Sequence, residues 1–169
     1  MTNFARILTA ASVTAAALIA SPAMAVPVGA STPATAKAQI VKPLTLTATQ
    51  NLDFGTILLV NVTASTPVSI SQAGVVTCGT GLSCSGAPQQ AKFGATGTNN
   101  QVVKIYTATS TITNGTTNLT FTPNAPASIL MTNAGAPGTL FSVGGSFNID
   151  TATTDGVYTG NMNVTVDYN

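Results

Sequence analysis

Three observations in the sequence predict an all-β protein, an immunoglobulin-like β-sandwich. Short runs in which apolar and polar residues alternate recur along the chain, rich in the Thr, Val, Ile and Phe that suit a pleated surface. Clusters of Gly, Asn and Pro, such as TNGTT at 113–117 and NAGAPG at 133–138, separate those runs and read as turns. Beyond residue 25, no ten-residue stretch places apolar residues at helical spacing. Many short strands with frequent turns point to a sandwich or a barrel, and we take the sandwich.

The first 25 residues read as a secretory signal peptide. Arg6 supplies the positive start, Ile7 to Ala20 the apolar run, and Ala23-Met24-Ala25 the small-residue cleavage site. The run is short for a bilayer, and Pro22 breaks it before the cut. The mature chain is therefore expected to begin at Val26 and to insert into no membrane. Taking 25 residues from 169 leaves 144, enough for one domain with its own core. Residues 26–38 form a flexible leader, and 39–169 a single domain.

Strand-like segments follow at 39–47, 52–60, 67–71, 74–78, 91–97, 101–109, 117–123, 128–131 and 139–150, with a last strand from Gly156 to Asn169. The two glycines of VGGSF at 143–147 lie inside a strand-like run and mark a bulge or a tight bend. Cys78 and Cys84 enclose a Gly-rich loop. In an exported protein they are expected to form a local disulfide, since a redox dithiol would more often show C-x-x-C beside a helix.

The mature chain holds four Lys (37, 42, 92, 104) and four Asp (53, 150, 155, 167), and it has no His and no Glu. The basic residues do not cluster, which argues against nucleic acid. The usual general bases and metal ligands are missing, so no catalytic residue, cofactor or metal is expected. Asp53, before Phe54-Gly55, reads as a turn cap, and Asp150 and Asp155 as turn residues before the last strand. A neutral surface lacks the charge that keeps monomers apart.

In the last strand Met162, Val164, Val166 and Tyr168 share one phase. In the leader Ala34, Ala36, Ala38 and Ile40 do the same. An exposed edge strand is a liability that another chain's extended segment can cover.

The ending DGVYTGNMNVTVDY, with Gly156 fourteen positions from the end and Tyr168 penultimate, resembles the endings of chaperone–usher-class pilins and of spore-coat-U-type secreted domains. Together with PLTLTATQNLDFGTI at 43–57, it also resembles small secreted proteins grouped as the domain of unknown function DUF4402. The pilin resemblance implies a sandwich that lacks its final strand. A periplasmic chaperone would lend one, and a neighbouring subunit's leader would replace it. Ala34, Ala36, Ala38 and Ile40 are then the candidate donor strand. Gly156, Tyr158, Met162, Val164, Val166 and Tyr168 are the candidate acceptor edge. The implied protein is a fimbrial subunit that crosses the periplasm to the cell surface or beyond and associates with itself or with a chaperone and usher. The competing expectation is a self-complete monomeric sandwich that binds a surface glycan or matrix partner.

Overall fold

The structure, a computed structural model, describes residues 27–29 and 31–169. The segment expected to be a signal peptide lies outside the described residues. The described leader residues, Ala34, Ala36 and Ala38 among them, have no regular secondary structure and are exposed. The compact body runs from Gln39 to Asn169.

The body is all-β and is built from twelve strands. They are β1 Thr45–Gln50, β2 Thr56–Leu59, β3 Thr66–Ile70, β4 Val76–Cys78, β5 Leu82–Ser85, β6 Ala91–Thr96, β7 Val102–Thr107, β8 Ser110–Thr113, β9 Asn118–Asn124, β10 Ser128–Leu130, β11 Thr139–Ile149 and β12 Val164–Tyr168. One sheet runs β1-β6-β11-β3-β4, with β9 also on β11 and β8 on β9. A second runs β10-β7-β12, and β2 and β5 form a separate ribbon. All the pairings are antiparallel.

Period-two alternation decides which side chains go inside. β6 buries Ala91, Phe93 and Ala95, while β7 buries Val103 and Ile105. These meet Met131, Phe141 and Val143 in one apolar cluster that joins the two sheets, which makes the body a sandwich. Phe93 and Phe141, cross-strand partners on β6 and β11, stack with ring centroids 5.6 Å apart. A second cluster holds Val68, Leu119, Phe121, Phe147 and Ile149.

Differences from the sequence reading have local causes. β1 starts at Thr45 rather than at 39, because Pro43 cannot donate to a ladder. β5 begins inside the loop closed by the cysteines and carries Cys84 itself; Gly81 at φ 79° makes the turn and β2 supplies a partner. β8 forms from residues outside the expected strand segments, because β9 pairs with it. β12 begins at Val164 rather than at Gly156. Ahead of it, pairing is limited to the bridge between Thr113 and Thr159.

Cys78 and Cys84 are bonded, with Cα atoms 6.0 Å apart. Cys78 ends β4 in the large sheet, while Cys84 sits opposite Ile57 in the ribbon, so the bond ties the ribbon to the sandwich. Replacing both by Ser is expected to lower stability by about 2 kcal/mol, the cross-link entropy of a short loop. Urea unfolding measures it. A loss under about 0.5 kcal/mol, the scale of an ordinary surface change, would mean the ribbon holds without the bond.

Candidate functional site

Each of the two main sheets ends on a strand paired along one side, β1 in one and β12 in the other. At the end of β12, Tyr168 closes the space between the layers. Its hydroxyl accepts from Thr98 N at 2.8 Å and donates to the Lys42 carbonyl at 2.6 Å. Leu44, Leu46, Val164, Val166 and Tyr168 are half-buried against the first cluster, so this stretch is packed.

Farther along, the layers stand open. A groove of about 1180 Å³ lies between the segment that follows β1 and the segment that precedes β12. One wall runs from Gln50 to Leu59 and the other from Thr153 to Asn163. Phe93, Phe121, Phe147 and Ile149 reach it from the core. Phe54 stands over that floor, with its ring edge-on to Phe147 at 4.8 Å and to Phe121 at 6.2 Å. Phe93, Phe121, Phe147 and Ile149 are themselves buried, so they back the groove rather than standing open in it.

Turns and side-chain bonds hold the walls. Asp53 accepts from Gly55 N at 2.8 Å, and its backbone bridges Gln89, which turns the first wall from β1 toward β2. The second wall is pinned to the β8–β9 hairpin. Asn114 Nδ2 donates to Thr154 Oγ1 and to the Asp155 carbonyl, both at 3.0 Å. Asn114 Oδ1 accepts from Thr116 N and Thr117 N within its own turn. Tyr158 donates its hydroxyl to the Thr154 carbonyl at 2.8 Å while its ring packs on the second cluster. Asp150 is occupied in its own turn by Ala152 N and the Thr153 hydroxyl. Among the described residues, no group of three or more His, Cys, Asp or Glu is placed to hold a metal ion.

The candidate acceptor edge thus divides in two. Gly156, Tyr158 and Met162 line the groove, whereas Val164, Val166 and Tyr168 lie in the packed stretch. Sequence reasoning missed the opposite wall, Leu52, Phe54 and Ile57. Its signal was available in LDFGTILLV, whose apolar residues exceed what a two-stranded ribbon can bury. Of the candidate donor residues, Ile40 belongs to the compact body and is 92% exposed.

The chain belongs to the family described as Domain of unknown function (DUF4402), whose model matches residues 44–168. No curated protein and no solved structure matches it. The match takes in both walls of the groove and stops at Tyr168.

Proposed function

We propose that the protein is a secreted structural subunit of the bacterial surface, pilin-like and without enzymatic activity, that is joined to its neighbours by an added strand. The observation that carries this reading is the groove between the segments next to β1 and β12, whose mixed lining includes Leu52, Phe54, Ile57, Tyr158 and Met162. An extended segment laid there would meet backbone groups outside the ladders and send alternate side chains toward the apolar wall residues Leu52, Phe54, Ile57 and Met162. The signal-peptide pattern and the near absence of charge support export and association. The competing reading is a self-complete monomer that binds a glycan or matrix partner. The candidate donor positions, three of four alanine, favour it, because they make a weak donor for another subunit.

Two exposed rim residues test the reading without touching the core. Leu58 and Val157, on opposite walls, are 61% and 81% exposed. Leu58→Asp with Val157→Asp should change folding stability by no more than about 1 kcal/mol, as surface substitutions do. It places two charges at the groove mouth, where an incoming apolar strand would desolvate them. In its native host the wild type is expected in heat-labile complexes on gels, and the double variant as a free subunit. A wild type that is always free, or a double variant that assembles normally, would refute strand addition.

A further inference from the structure

We infer that Asn114–Gly115 is a modification site: a site of spontaneous deamidation that the fold protects, and whose reaction frees the segment Thr154–Gly156 in one direction only. The inference does not depend on what the groove binds.

The sequence contains one Asn-Gly pair, and it forms the turn between β8 and β9. In such a pair the second residue has no side chain to keep its backbone nitrogen from the asparagine amide. Gly115 is exposed, and nothing lies within 4 Å of where its Cβ would stand, so solvent reaches the turn. The amide itself is covered. Asn114 Nδ2 donates to the Thr154 hydroxyl and the Asp155 carbonyl, while Oδ1 accepts from Thr116 N and Thr117 N. The Gly115 N–H donates to Thr113 Oγ1 at 3.0 Å, which opposes loss of its proton. Gly156 completes the cover. A Cβ there would come within 3.1 Å of Asn114 Nδ2 and 3.2 Å of Asn114 Cβ, so glycine is what lets this segment lie on the amide.

Reaction requires the amide to swing free. The Gly115 nitrogen then gives its proton to hydroxide and attacks Asn114 Cγ. The Cγ–Nδ2 bond breaks, and the leaving nitrogen takes a proton from water and departs as ammonia. Water opens the cyclic imide at either carbonyl and leaves an aspartate or an isoaspartate in place of Asn114. The product carboxylate accepts hydrogen bonds but donates none. It cannot bond the Asp155 carbonyl, and it sets a negative charge against that oxygen. The segment keeps the bridge between Thr113 and Thr159 but loses its side-chain tie to the hairpin. Ammonia is gone, so the tie does not re-form.

Peptide mapping by mass spectrometry of the exported protein, aged at mildly alkaline pH, tests this. Conversion at Asn114 is expected about 30-fold slower in the folded protein than in the same chain unfolded in guanidinium, the combined effect of two side-chain hydrogen bonds of ordinary strength. Thr154→Val removes one of them and should speed conversion in the folded protein about fivefold. Asn114→Asp isolates the donor half of the tie, since a carboxylate still accepts from Thr116 N and Thr117 N. In that variant the Thr159 amide, which donates to the Thr113 carbonyl, should exchange roughly fivefold faster while the Thr117 amide is unchanged. Equal conversion in the folded and unfolded chains, or none in the unfolded chain, would overturn the inference. So would a Thr154→Val protein that converts at the wild-type rate. An Asn114→Asp protein with wild-type exchange at Thr159 would also overturn it, because the amide would then hold nothing in place.

Discussion

Gly144→Ala is expected to destabilise the protein by about 3 kcal/mol, at the upper end of what overpacking costs. A methyl group there would overlap the Ile70 carbonyl oxygen and come within 2.8 Å of the Ser71 carbonyl carbon. Both are backbone atoms, so no side chain can swing aside. The position matters because β11 changes partners at this point. Residues Thr139 to Val143 pair with β6, whereas Gly144 to Ile149 pair with β9 and β3. Gly145 follows, and a Cβ on it would run into the Phe121 ring. Phe121 is part of the groove floor, so the same short stretch that joins the strands also sets that floor's height. Gly115→Ala is the control. Nothing lies within 4 Å of a Cβ there, and the backbone sits at φ 90°, so it should lose about 1 kcal/mol from conformation alone. Equal losses at the two sites in urea unfolding would refute the steric account.

The strands legible in the sequence were those whose burial follows their own alternation. β3, β6, β7, β9 and β11 each bury every second residue, and each was expected within a few residues of its place. β5 and β8 were not legible, because their ordering comes from a partner strand rather than from a pattern of their own. The paired glycines read as a bend and lie at the change of partners in β11. One half of the groove was legible, because Met162 and Tyr158 continue the phase of the last strand. The other half was not. Phe54 and Ile57 belong to a run that looks like an ordinary core strand, and only the fold shows that the ribbon leaves them beside open space. The disulfide was legible from the spacing and from the expectation of export, but its role in holding that ribbon depends on tertiary structure.

Tyr168→Ala is expected to lose about 3 kcal/mol, most of what an aromatic truncation in a core costs, although the residue is next to last. Chain ends fray unless something ties them. Here the ring lies against Gly97, where a Cβ would come within 2.6 Å of the tyrosine hydroxyl and 2.8 Å of Leu44 Cδ2. The hydroxyl joins the Thr98 amide to the Lys42 carbonyl. Three separate stretches therefore meet at one side chain: the β6–β7 turn, the entry to β1 and the end of β12. Tyr168→Phe keeps the ring and removes both hydrogen bonds, for an expected loss of about 1–2 kcal/mol. The phenylalanine variant should also release the Thr98 amide to exchange, which a packing defect alone would not do. The latch fixes the entry to β1 and closes one end of the seam. It thereby holds β12 in register while the segment before it stays open. A fully stable Tyr168→Phe variant with the Thr98 amide still protected would show that the strand is held by its ladder with β7 alone. The closed end of the groove would then need another cause.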